Sequence, residues 1–147
     1  MPKDGQAVKS QTHWQVKALK PDIPPYLDGR MASMINTYGG DVNCGYLCSR
    51  TGDSYLVLSG EPLFEMGLLN GQNHRASLDF GAKYKADRIL FEPGEGYLTL
   101  PIQPTSRILQ KMKAGLFVSV MLPGNTFEYR LRGSSDALNE ALDYCSR

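Results

Sequence analysis

The residues best able to carry out chemistry in this chain of 147 residues are its three cysteines, Cys44, Cys48 and Cys145. A zinc site needs about four ligands, and no histidine spacing near the cysteines supplies them. The first two cysteines form C-x3-C, so the C-x-x-C motif of thioredoxin-like proteins is absent. The cysteines are then either plain buried thiols or partly joined in a disulfide. If the protein is exported, we expect a disulfide between Cys48 and Cys145, or between Cys44 and Cys145, which would clamp the C-terminal helix onto the sheet. The third cysteine would be free or available for intermolecular pairing.

The two histidines offer the next candidates for catalysis. His13 precedes Trp14, and His74 lies in the polar segment 70–75. Either could act as a general base or a metal ligand, although surface and turn histidines are more common. The chain contains no G-x-S-x-G elbow and no glycine-rich phosphate-binding motif. We predict no catalytic, cofactor-binding or metal-binding residue, with a small hydrolase that uses His13 or His74 as an alternative.

Charged residues give no sign of a nucleic-acid site. The 16 Lys and Arg residues nearly balance the 15 Asp and Glu residues, for a net charge of +1. A nucleic-acid-binding domain usually carries a clear positive excess. Two small basic groups are interpreted as solvated surface: Lys83, Lys85 and Arg88 around Tyr84, and Arg107, Lys111 and Lys113. The carboxylates Asp87, Glu92 and Glu95 are likewise assigned to the surface of a turn.

Tyrosines suggest a binding surface instead. An exposed group of them on a sheet face or loop edge would form a protein-binding patch. The candidate surface comprises Tyr26, Tyr38, Tyr84 and Tyr97. The expected partner is another protein or a component of the cell envelope.

Hydrophobic periodicity shows which elements must position these side chains. Short alternating or apolar segments bounded by Gly, Pro and Asn predict strands. They cover residues 12–19, 30–38, 54–59, 63–69, 75–80, 87–91, 96–100, 116–122 and 126–131. Thr105 or Ser106 can cap a short helix that ends before Gly115, and Ser134 or Ser135 can cap a last helix. We predict a mainly β protein: an antiparallel β-sandwich or curled barrel, with a short helix before the last hairpin and a C-terminal helix.

The domain prediction follows from length and composition. Residues 1–11 are expected to form a flexible tail, and residues 12–147 a single β-rich domain. The expected core comprises Trp14, Tyr55, Leu56, Leu58, Phe117, Val118, Val120 and Leu138. No apolar segment is long enough for a transmembrane helix, and no signal peptide is visible. The chain is therefore either cytoplasmic or a mature exported domain whose signal was replaced by a start methionine.

The last third of the chain resembles a known family. It contains a capped helix (106–115) with a basic, glycine-terminated end, a hairpin (116–131), and then Gly133-Ser134-Ser135-Asp136-Ala137-Leu138 leading into a final helix. This order is similar to the C-terminal part of invasion-associated locus B-like proteins and related small periplasmic β domains, in which a cysteine also follows the last helix, as Cys145 does here. The resemblance implies a periplasmic or secreted, non-enzymatic domain that binds a protein or an envelope component. A cytoplasmic inhibitor or immunity-type protein of a mobile element is the alternative.

Overall fold

An antiparallel β-sheet dominates the computed structural model, which describes residues 13–18, 29–35, 42–94 and 96–146. The predicted tail (1–11) lies outside these residues. The described elements are, in chain order, β1 (Gln15–Ala18), β2 (Gly29–Ile35), β3 (Asn43–Ser49), β4 (Ser54–Ser59), α1 (Glu61–Glu65), β5 (His74–Asp79), β6 (Asp87–Pro93), β7 (Tyr97–Pro101), α2 (Arg107–Ala114), β8 (Phe117–Leu122), β9 (Asn125–Arg130) and α3 (Ser134–Cys145).

The nine described strands form one continuous sheet in the order β1-β2-β3-β4-β7-β6-β5-β8-β9. Strand β6 connects its two halves, because residues 87–91 pair with β5 whereas Glu92 and Pro93 pair with β7. The sheet is not closed, since the described parts of β1 and β9 are not paired with each other. Trp14 nevertheless joins the two ends: its backbone N–H donates to the Arg132 carbonyl and its indole Nε1 to the Arg130 carbonyl, at 3.0 and 2.8 Å. The predicted mainly antiparallel β class is confirmed, as one curled, open sheet.

The three described helices include the two that were predicted, one on each side of the last hairpin. Helix α3 packs against β1, β2 and β3 and contacts α2. None of the described helices is long and apolar enough to cross a membrane.

The core prediction is correct for six of its eight residues. Trp14, Leu56, Leu58, Val118, Val120 and Leu138 are buried. Tyr55 and Phe117 are only half-buried. Side chains alternate between the two faces of a strand, so Tyr55 lies on the face opposite Leu56 and Leu58, and Phe117 on the face opposite Val118.

Two elements differ from the prediction. The strand expected over 63–69 is wrong: the chain forms helix α1 there, with Pro62 in the first turn, where a missing backbone N–H costs nothing. Strand β3 was not predicted, although Cys44, Tyr46 and Cys48 alternate toward the core. Gly45 lies between them on the opposite face, where a Cβ would approach the Ser33 Cβ of β2 at 2.8 Å.

The helix ends show two correct assignments and one incorrect assignment. The Ser106 hydroxyl accepts a hydrogen bond from the Ile108 N–H at 3.1 Å and caps α2, as predicted. Helix α2 ends before Gly115, as predicted. Gly115 has extended backbone angles, and a Cβ there would lie 2.9 Å from the Lys111 carbonyl oxygen. Ser134 does not cap α3, which begins after Gly133 at φ 80°. The Ser134 hydroxyl instead donates to the Met112 carbonyl oxygen at 2.6 Å and ties α3 to α2.

Candidate functional site

The cysteines are arranged as one disulfide and one buried thiol. Cys48 of β3 is joined to Cys145 at the end of α3, with the Cα atoms 6.1 Å apart. The Cys48 sulfur also lies 3.3 Å from the Ala141 carbonyl oxygen, a contact without a hydrogen bond because a half-cystine carries no proton. Cys44 is a free thiol. It lies four residues before Cys48 on β3, about 13 Å away, so it is out of reach of Cys145, which is bonded to Cys48. Complete burial raises the pKa of Cys44 to about 12, so the reactive thiolate is suppressed.

The end of α3 is held by a second contact beside the disulfide. The Arg30 guanidinium lies 3.6 Å from the centre of the Tyr144 ring, and the Arg50 guanidinium lies 5.9 Å from it. Both distances fall within the range of cation–π attraction. These residues therefore have a structural role in fixing the last turn of α3 over β2 and β3.

The two histidines lie in different surroundings. The Nε2 atom of His74 is buried and has no hydrogen-bond partner there. His13 is exposed and lies beside Gly133. A Cβ added to that glycine would lie 3.6 Å from the Cβ of His13. Among the described residues, no group of His, Cys, Asp and Glu could hold a metal ion.

Asp87 and Lys111 lie in a buried ion pair rather than on solvated surface, so the sequence interpretation is wrong for both. The Asp87 carboxylate accepts hydrogen bonds from Lys111 Nζ at 2.8 Å and from Arg107 Nε at 3.3 Å. Its side chain is 6 % exposed and that of Lys111 is 15 % exposed. Lys111 also donates to the Lys85 carbonyl oxygen and lies 5.7 Å from the centre of the Tyr84 ring. This cluster fastens α2 to the start of β6.

The candidate tyrosine surface is divided in the structure. Tyr84 is half-buried and packs edge-to-face on Phe80, with 6.3 Å between ring centres, just before β6 begins. Tyr97 is 39 % exposed and follows the end of β6. The length of β6, about 20 Å, therefore lies between Tyr84 and Tyr97 along the strand. Tyr26 and Tyr38 lie outside the described residues. The two described tyrosines therefore belong to opposite ends of one strand.

An open groove of about 670 Å³ lies on the outer face of β5, β6 and β8. We call it the arginine groove. The side chains that its chemistry depends on are Arg75, Ser77, Arg88, Leu90, Met121 and Pro123. Its size falls within the range of about 300–1,000 Å³ typical of ligand clefts.

Strand register explains why these side chains meet. Ser77 in the middle strand lies opposite both Arg88 and Met121, and Arg75 lies opposite Leu90. Arg75 and Arg88 are therefore diagonal neighbours on one face, a relation that places residues about 7–8 Å apart. Both arginines are exposed, and Leu90 is 44 % exposed.

Neither arginine of the groove is neutralised by a described residue, since neither side chain forms a hydrogen bond or ion pair within that part of the chain. Two nearby acids on the same sheet face are engaged elsewhere: Asp79 accepts from the Gly81 N–H at 2.9 Å, and Glu128 accepts from the Ser119 hydroxyl at 3.3 Å. Both lie beyond Ser77, on the side away from Arg75. A third acid of this face, Glu92, follows Leu90 by two residues on β6; it is exposed, does not line the groove and forms no ion pair with either arginine. The groove consequently presents two available cations beside an apolar floor.

Sequence reasoning did not find this site. It grouped Arg88 with Tyr84 as solvated surface and gave Arg75 no role. The alternation of β5 was recognised from Ala76, Leu78 and Phe80, all of which are buried. That pattern places Arg75 and Ser77 on the outer face, but only the pairing of β5 with β6 and β8 brings the two arginines together. Comparison of the chain with protein-family models, with curated proteins and with solved structures yields no match, so its function has to be inferred from its own residues.

Proposed function

We propose that this protein is a non-enzymatic, exported β domain that binds another protein through the arginine groove. One observation carries the proposal: exposed Leu90 lies between two arginines without a described partner, in an open groove with Met121 at its floor. Arginine and methionine are enriched in protein–protein interfaces. A leucine kept at a solvent-facing position of a sheet gains burial only when a partner covers it.

The bonding and burial of the cysteines and His74 support binding rather than catalysis. Cys48 and Cys145 are bonded to each other, and burial keeps Cys44 protonated. The buried Nε2 of His74 has no hydrogen-bond partner among the described residues. A general base must lie within hydrogen-bond reach of the group it serves. Neither the cysteines nor His74 meets the basic requirement of a hydrolase.

The disulfide supports the exported setting. Disulfides persist in oxidising compartments and are rare in the reducing cytosol. An exported domain of the proposed invasion-associated locus B-like type would use this bond to hold its C-terminal helix. Thiol titration of native protein isolated from its source without reductant tests this setting: one thiol, exposed only on unfolding, is expected, whereas three thiols would indicate the cytoplasmic alternative.

Site-specific photo-crosslinking tests the binding role. A photoreactive phenylalanine analogue at position 90 is expected to give a discrete protein adduct in the cells that make the protein, because the side chain there points into the groove. The same analogue at Gln110, an exposed position of α2, serves as the matched control. Equal adducts at both positions, or none at position 90, would overturn the proposal.

A further inference from the structure

We infer that the partner segment in the arginine groove is an extended acidic peptide with an acid-x-apolar pattern, whose carboxylate lies between Arg75 and Arg88. This inference rests on the proposed function and adds the chemistry of the partner. It is drawn from the charge, register and floor of the groove.

The charge of the groove favours a carboxylate. Arg75 and Arg88 present two planar guanidinium groups that are exposed and without described partners. A guanidinium matches a carboxylate with two parallel N–H···O hydrogen bonds, which are stronger than neutral ones. Because the two arginines are diagonal neighbours and each side chain is long, both can reach one carboxylate above Ser77.

The spacing along β6 favours an extended peptide. Arg88 and Leu90 lie two residues apart on the same face, which corresponds to about 6.8 Å. An extended partner places the side chains of residues i and i+2 on one face at the same spacing. An acidic side chain followed two residues later by an apolar one would therefore meet Arg88 and Leu90 together.

The floor of the groove favours a protein segment over a nucleic acid. The residues that line it include two cations and no aromatic side chain. Proteins that bind single-stranded nucleic acid stack bases on aromatic side chains along a basic track. Leu90, Met121 and Pro123 instead offer apolar area for an aliphatic side chain, and the net charge of the chain is only +1.

Titration of the isotope-labelled full chain by NMR tests the inference with defined probes. The first probe is the peptide Ser-Glu-Ser-Leu-Ser, and its control carries Gln in place of Glu. Amides of β5, β6 and β8 are expected to shift with the acidic peptide, and the Gln peptide is expected to bind about tenfold more weakly. An eight-nucleotide oligothymidylate is the third probe.

Matched double variants separate the groove from general charge. Arg75→Gln/Arg88→Gln is expected to weaken binding of the acidic peptide about tenfold or more. Lys17→Gln/Arg132→Gln removes the same charge from two exposed positions outside the groove and is expected to leave binding unchanged. Amide spectra of both variants verify that they remain folded.

Three results would overturn the inference. They are equal binding of the Glu and Gln peptides, equal weakening by the two double variants, and tighter binding of the oligonucleotide than of the acidic peptide at the same amides. If the acidic peptide causes no shifts while the photo-crosslink at position 90 persists, the partner chemistry is wrong and the docking surface stands. Loss of the crosslink as well would remove both proposals.

Discussion

Replacing Cys145 with serine removes the covalent connection between the end of α3 and strand β3. The bond spans a sequence separation of 97 residues, so it excludes a large set of open conformations from the unfolded chain. The chain-entropy relation gives about 4.7 kcal/mol for a loop of this length, while measured contributions are usually about 2–4 kcal/mol. Because α3 keeps its buried residues Leu138 and Ala141, it is expected to remain packed. We therefore expect the Cys145→Ser variant to fold and to lose about 3–4 kcal/mol of unfolding free energy.

Urea unfolding followed by circular dichroism, with and without reductant, measures this loss. Reductant is expected to lower the stability of the wild-type chain to that of Cys145→Ser and to leave the variant itself unchanged. Cys44→Ala is the matched control: it removes a buried thiol at a cost of about 1 kcal/mol and keeps the sensitivity to reductant. If wild type and Cys145→Ser unfold at the same urea concentration without reductant, the assigned disulfide does not stabilise the native protein.

Three further changes test the packing of the sheet and helices. Burial raises the pKa of Cys44 from 9.0 to about 12, so the thiol of the unfolded chain loses its proton first. The free energy of unfolding therefore falls as the pH rises from 9 toward 12, by up to about 1.4 kcal/mol per pH unit. Urea titrations across this range would contradict this if Cys44→Ala lost stability as steeply as wild type. Lys111→Met leaves the buried Asp87 carboxylate with only an exposed arginine as its partner. We expect urea unfolding to show a loss of about 3 kcal/mol of unfolding free energy, part of which returns when Asp87→Asn is added. No recovery in the double variant would refute the ion-pair explanation. Trp14→Phe removes the indole hydrogen bond to the Arg130 carbonyl. We expect it to lower the unfolding free energy by about 1–2 kcal/mol and to speed hydrogen exchange in β1. Unchanged exchange would show that Trp14 does not hold the sheet ends together.

Local patterns were sufficient to predict much of the fold. Alternation identified β5 through Ala76, Leu78 and Phe80, because a half-buried strand places every second side chain in the core. The Ser106 cap was also readable, since a hydroxyl before the first helical turn satisfies a backbone N–H that has no helical partner. Strand β3 was missed although Cys44, Tyr46 and Cys48 alternate, and Gly45 lowers the strand propensity of this segment. A glycine stands there for a tertiary reason, because the neighbouring strand β2 leaves no room for a Cβ.

The arginine groove and the ion pair were decided by the tertiary structure. The sequence by itself determined a mainly antiparallel β protein with a C-terminal helix, and it limited the disulfide to two pairings that include Cys145. Packing of α3 selected Cys48, because that residue alone comes within disulfide distance of the helix end. Register brought Arg75 beside Arg88 although thirteen positions separate them in the chain. Packing of α2 against the start of β6 paired Asp87 with Lys111 across twenty-four positions. Hydrophobic periodicity reports which face a residue occupies, whereas the neighbour it meets there depends on strand pairing between distant segments.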